Sequence, residues 1–112
     1  QEGTWYPCIL PSTMMAWTID CMFLFELWPT GPESVDVAIA SFFPKDRTTR
    51  PDFDELAEGY YRRLDVILPE DNDAVEQQQK GLRSPVSAAS RYTHMETLCH
   101  AFDNWVLDRV LD

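Results

Sequence analysis

An α+β fold is predicted for this chain on three observations. Residues 1–44 hold short apolar runs separated by proline- and glycine-rich turns. Residues 52–82 and 93–111 carry apolar side chains at helical spacing. The strands come first and the helices afterwards, so the two kinds of element are segregated rather than alternated. With 112 residues the chain has the length of one small domain. Four Trp, four Tyr and six Phe supply enough side-chain volume for a core.

Gln1–Thr4 reads as a loose end, and Trp5–Leu10, apolar around Pro7, as an edge strand or extended arm. Met14–Thr18 is a short strand candidate. Thr18–Trp28 is the clearest strand: Ile19, Cys21, Phe23 and Phe25 share one face, and Met22, Leu24, Glu26 and Trp28 the other. Both faces are largely apolar, which predicts cover on both sides. Pro29–Ser34 is a turn signal, and Val35–Phe43 alternates Val35, Val37 and Ile39 against Asp36 and alanines. The two runs read as an antiparallel hairpin. Pro44–Pro51 is a charged loop without periodicity.

Asp52 and Glu55 have the spacing of a capping box, and Phe53, Leu56, Tyr60, Leu64 and Ile67 form one helical stripe. Pro69 is expected to break or kink that helix, and a second one is expected over Glu70–Gly81. On this second helix Asp71, Val75, Gln78 or Gln79, and Leu82 fall along one face. Leu82–Arg91 reads as a loop of Ser, Ala and Pro. Thr93 and Glu96 repeat the capping-box pattern, opening a helix whose stripe is Met95, Leu98, Phe102, Trp105 or Val106, and Val110.

Composition excludes several classes. A net charge of -10 disfavours nucleic acid and anionic membrane surfaces as partners. The longest apolar run, Cys21–Phe25, is far too short to span a bilayer. Cys8, Cys21 and Cys99 are odd in number and scattered, with no C-x-x-C, which points to free buried thiols in a reducing cytoplasm. Nothing at the start reads as a secretory signal. The first residue is Gln, not Met, so a fragment, a processed product or a trimmed chain is expected.

The segment Glu70–Ser84 carries the most specific pattern. Read from composition alone, its acids cap a solvated helix and favour the positive end of the helix dipole. Its pattern E-D-x-x-x-x-E-x-x-Q-x-G-L is met by Glu70, Asp71, Glu76, Gln79, Gly81 and Leu82. This resembles the C-terminal part of the catalytic domain of Rieske-type non-haem iron oxygenases, the ring-hydroxylating oxygenase alpha subunits. The resemblance extends to Tyr6-Pro7, to the turn Pro29-Thr30-Gly31-Pro32-Glu33, and to Arg91–Glu96 running into Phe102 and Trp105. It covers about Tyr6 to Val110.

The resemblance implies part of a helix-grip (Bet v 1-like) architecture, a curved antiparallel sheet wrapped on helices. It implies that Asp71 is the carboxylate of a two-His, one-carboxylate Fe(II) site. The complete enzyme takes electrons from a reductase or ferredoxin through a [2Fe-2S] cluster and hydroxylates or demethylates an apolar, often aromatic, substrate. The family's C-x-H and C-x-x-H cluster ligands and its H-x-x-x-x-H iron ligands do not occur here; the two histidines, His94 and His100, lie downstream. Expected, then, is a segment that is inactive alone and completed by the rest of an oxygenase or by self-association. The competing reading is a stand-alone, non-catalytic oligomeric or ligand-binding domain derived from that fold.

The remaining candidates have blander readings. On a common helix His94 and His100 fall about 240° apart and do not converge on a metal. His94 is read as a surface residue and Cys99 as a core one. Glu76 is expected to pair with Lys80, Asp73 to face solvent, and Gln78 and Gln79 to be surface amides. Trp17, Phe23, Phe25, Trp28, Phe42 and Phe43 are available to line an apolar pocket, with core filling as the commoner role. No Ser/His/Asp set, P-loop or dinucleotide fingerprint is present.

Overall fold

The computed structural model describes residues 3–87 and 90–111. The elements are β1 (Cys8–Ile9), β2 (Thr13–Trp17), β3 (Met22–Gly31), β4 (Ser34–Phe42), α1 (Lys45–Thr48), α2 (Phe53–Leu82) and α3 (Thr97–Val110). The α+β order expected from the sequence is the order found. Part of the loose end expected at Gln1–Thr4 and part of the loop expected after Leu82 lie outside the described residues. The chain forms two compact units, residues 1–41 with 88–112, and residues 42–87.

The sheet of the first unit is antiparallel, in the order β1-β2-β3-β4. β2 pairs with β3 from Thr13↔Glu26 to Trp17↔Met22. The Thr13 hydroxyl donates to Glu26 Oε1 at 3.1 Å across that first pair. Trp5 extends the ladder through a two-bond bridge to Trp17, 2.9 and 2.8 Å. The long strand begins later than Thr18. The Thr18 backbone N–H and hydroxyl both donate to the Cys21 carbonyl, each at 2.8 Å, and the Cys21 N–H donates back to the Thr18 hydroxyl at 3.0 Å. This local turn outcompetes the strand over 18–21. It also swings Ile19 out to 75% exposure, away from the face it was expected to share with Cys21 and Phe23.

Cys21, Phe23 and Ala57 are the buried apolar residues among those described. Met22 and Leu24 to Leu27 are half-buried, and from Trp28 onward β3 is exposed. The expected cover on both faces therefore holds only for the first part of the strand. β4 is mostly exposed, with Ile39 and Ser41 half-buried. The hairpin turn narrows to Pro32 and Glu33, where the Thr30 hydroxyl donates to Ser34 Oγ at 3.0 Å.

The capping box at Thr93 builds a turn rather than a helix start. The Thr93 N–H donates to Glu96 Oε2 at 2.8 Å, and the Glu96 N–H to the Thr93 carbonyl at 3.1 Å. The helix itself begins at Thr97. Its expected apolar stripe is not covered: Met95 is 83% and Val110 71% exposed, and only Trp105 and Val106 are half-buried. Arg109 lies 3.7 Å over the Trp105 ring, a cation–π contact.

The Thr93 backbone N–H, aided by the Thr93 hydroxyl, holds the Glu96 carboxyl below the ordinary glutamate range. A carboxyl with a depressed folded pKa contributes stability that is complete above its unfolded value, about 4.3, and is lost as pH falls through the folded value. Glu96→Gln is therefore expected to lower helicity near neutral pH and to match the wild type once the carboxylate is protonated. Far-ultraviolet circular dichroism across the acid range checks this. A difference that persists unchanged at low pH contradicts it.

In the second unit, residues 44–51 are not the unstructured loop expected. The Pro44 carbonyl accepts from the N–H groups of Arg47 (2.9 Å) and Thr48 (3.2 Å), giving the single turn α1. Asp52 stands at the N-cap position of α2 but makes no side-chain cap. Arg50 takes the carboxylate instead, with Nε at 2.8 Å and a terminal nitrogen at 2.6 Å. A bidentate guanidinium–carboxylate pair outcompetes a neutral backbone donor. Phe43 sets its edge against Phe53 (5.2 Å between centroids) and Tyr60 (5.6 Å), fastening the start of α2.

α2 does not end at Pro69. It is one helix from Phe53 to Leu82 with the proline inside it. An interior proline removes one hydrogen bond, here to the Asp65 carbonyl, and costs about 3 kcal/mol. Asp65 is exposed, so water is available to that carbonyl. Apolar stripe and helix formers on both sides keep the helix in register.

Candidate functional site: Asp71 on the long helix

Because α2 is continuous, its stripe does not stop at Ile67. From Phe53 the positions 56, 60, 64, 67, 71, 75, 78 and 82 follow at steps of three and four. They place Asp71 between Ile67 and Val75 on the apolar side of the helix. Glu70 lies about 100° round from Asp71, and Asp73 about 200° round on the far side. Of the four acids at 70, 71, 73 and 76, Asp71 is the one that stands on the stripe. The face shared by Asp71, Val75 and Leu82 is the one expected from the sequence; its continuity with the stripe of residues 53–67 was hidden by the expected break at Pro69.

The cover over that stripe changes along the helix. Ala57 is buried, and Leu56, Tyr60, Leu64, Ile67 and Leu68 are half-buried. Residues 70–78 are exposed, Asp71 among them, with Val75 at 64% and Leu82 at 62%. Gln79 is half-buried and Gln78 exposed, so the two amides expected at the surface are only partly so. Glu76 reaches Lys80 at 4.0 Å, the pairing their spacing predicts, and Asp73 is exposed as expected.

His94 lies in the turn before α3 and is exposed, as expected; His100 lies within α3. The Tyr92 ring is 5.6 Å from the His100 ring, and the Tyr92 hydroxyl donates to Asp103. Asn104 Nδ2 lies 3.1 Å from His100 Nε2 and donates to the His100 carbonyl at 2.9 Å. One imidazole nitrogen, Nε2, is thus within hydrogen-bonding distance of a side chain of its own helix. Among the described residues no group of three or more His, Cys, Asp or Glu is arranged to hold a metal ion. A mononuclear Fe(II) site with two imidazoles and one carboxylate does not fit the described residues of this chain by themselves.

The aromatics offered for an apolar pocket differ in burial. Phe23 is buried and Phe25 and Phe43 half-buried, whereas Trp17, Trp28 and Phe42 are exposed. A hollow lined by Gly3, Trp5, Trp17, Thr18 and Ile19 holds about 120 Å³, less than the about 300 Å³ at which small-molecule pockets begin.

The three thiols are free, but they are not all buried: Cys21 is, Cys8 is half-buried, and Cys99, expected in a core stripe, is exposed. Burial, reinforced by the neighbouring Asp20 charge, pushes the Cys21 thiol up to about 11. Thiol alkylation of the native chain near pH 8 is expected to modify Cys99 on the order of a hundredfold faster than Cys21. Peptide mass spectrometry checks it. Equal rates at the two sites contradict the buried placement of Cys21.

The described residues form an antiparallel sheet, a long helix with an E-D pair near its middle and a C-terminal helix. The family of ring-hydroxylating alpha subunits, catalytic domain, matches residues 2–112, and the chain belongs to that family. It is an oxygenase-domain family that generally uses non-haem iron together with a Rieske cluster. No curated protein and no solved structure matches the chain. Among the described residues no helix is long and apolar enough to cross a membrane.

Proposed function

We propose that this chain is the C-terminal segment of a Rieske non-haem iron oxygenase catalytic domain and supplies Asp71 as the carboxylate ligand of the mononuclear iron. The observation that carries the reading is the position of Asp71: in the family's E-D pattern and, alone among its acidic neighbours, on the apolar stripe of α2. All four acids are exposed in this chain; a carboxylate on such a stripe faces whatever packs there in the complete domain, whereas Glu70, Asp73 and Glu76 point away from it. The two imidazoles come from residues outside these 112, since the family's H-x-x-x-x-H pattern does not occur in this sequence. The sheet and the first half of α2 form part of a helix-grip architecture that the rest of the domain completes.

The bound iron supplies the O2-activating chemistry. This chain's part is to hold one anionic ligand and to offer apolar surface to the substrate side. A carboxylate offsets one charge of Fe(II) and leaves the metal with open positions. Electrons come from a reductase or ferredoxin, the substrate is apolar or aromatic, and the assembly is a cytoplasmic oligomer. The second reading, a non-catalytic oligomeric or ligand-binding domain, draws on the exposed apolar residues Trp28, Val35, Val37 and Phe42.

Reconstitution separates the two readings. The chain is co-expressed with the preceding part of a family oxygenase cut before its own E-D segment, then supplied with reductase, Fe(II) and O2. Hydroxylated product that requires the 112-residue chain supports the oxygenase reading. A folded complex that retains the Rieske cluster but gives no product at any ratio favours the non-catalytic domain.

A further inference from the structure

We propose that Pro69 is a hinge dividing α2 into an anchored half, residues 53–68, and a half that opens and recloses on its own, residues 70–82. Three observations meet at this one residue. The first is chemical: Pro69 has no N–H to donate to the Asp65 carbonyl, and its ring crowds that carbonyl, so the bond ladder is interrupted there and nowhere else by sequence. The second is packing. Before Pro69 the helix has Ala57 buried and Leu64, Ile67 and Leu68 half-buried; directly after it, every residue from 70 to 78 is exposed. The third is fastening. The Phe43 ring sits against Phe53 and Tyr60, so the aromatic clamp holds the first half alone.

A helical stretch as short as 70–82 is marginal in water without side-chain cover. This one is also acid-rich and carries Gly81 in its last turn. Its opening is therefore expected at the low end of the local free-energy scale, while the anchored half opens only with the unit around it. The hinge lies two residues before Asp71, so it separates the clamp from the carboxylate and lets the carboxylate be oriented by the second half. That bearing on chemistry rests on the reading of Asp71 as a ligand; the hinge itself does not.

Native-state amide hydrogen exchange of the 112-residue chain, read by mass spectrometry, tests the hinge without any metal. Amides of residues 73–82 are expected to exchange at least about tenfold faster than those of 60–68. Pro69→Ala restores the missing donor and is expected to close most of that gap. Gly59→Ala is the control: an added methyl there meets nothing within 4 Å. It strengthens the anchored half and leaves exchange of 73–82 unchanged. Uniform protection across Pro69, or a gap untouched by Pro69→Ala, overturns the proposal. Either result leaves the iron-ligand reading standing, because that reading is tested by Asp71 variants and this one is not.

Discussion

Asp71→Ala is expected to lower iron affinity of the reconstituted oxygenase on the order of a hundredfold or more, and product formation with it. On the proposed reading the substitution removes the anionic ligand and leaves two neutral imidazoles, which do not offset the metal's charge. Asp71→Asn keeps the volume but not the charge and is expected to fall nearly as far. Asp71→Glu keeps the charge at a longer reach and is expected to retain part of the iron. The helix geometry makes the prediction specific. Glu70 and Asp73 flank Asp71 in sequence but point about 100° and 200° away from it. Their alanine variants are expected to bind iron within about threefold of the parent, since a solvated carboxylate at that distance is screened. Iron content per complex and turnover read both effects. Loss of iron in Glu70→Ala with retention in Asp71→Ala would move the assignment by one residue.

Phe23→Ala is expected to destabilise the sheet by about 3 kcal/mol, the range for truncating a buried aromatic. Phe23 is 8% exposed and pairs with Ala16, next to the Trp17↔Met22 end of the β2–β3 ladder. It is the one buried residue described in the strands of the sheet, with Cys21 buried just before β3, so little neighbouring core is available to collapse into the space. Trp28 is larger but 62% exposed, and Trp28→Ala is expected to cost less than about 1 kcal/mol. Urea unfolding followed by circular dichroism compares the two variants. An equal cost for both would mean that the far end of β3 is covered in solution and that the buried centre lies elsewhere.

What was legible in the sequence was local. The hairpin around Pro32 and Glu33, the amphipathic first half of α2 and the Glu76–Lys80 pair each depend on residues within a turn or two of one another. The misreadings arose where two local devices competed. Asp52 had the right spacing for a cap, but Arg50 offered a charged, bidentate partner. Thr93 and Glu96 made capping-box contacts and produced a turn. Thr18 pulled Cys21 into a turn where alternation predicted strand.

A second kind of misreading concerned burial. Periodicity tells which side of an element is apolar, not whether anything covers it. Cys99, Met95 and Val110 lie on a stripe and are exposed all the same. Asp71 shows both limits. Its place in the family pattern was readable from Glu70, Asp71, Glu76, Gln79 and Gly81. Its place on the stripe of the whole helix became visible only once Pro69 was seen to lie inside that helix.

The role proposed for Asp71 is that of one ligand of an iron site whose other ligands lie outside these residues. Anaerobic Fe(II) titration tests it most directly, on the chain alone and on the reconstituted complex, each with and without Asp71→Ala. The account predicts weak, non-stoichiometric binding to the isolated chain in both forms. It predicts one tightly held iron per complex, lost in the Asp71→Ala complex. Tight iron retained by the Asp71→Ala complex, or one-to-one iron held tightly by the isolated chain, would contradict it.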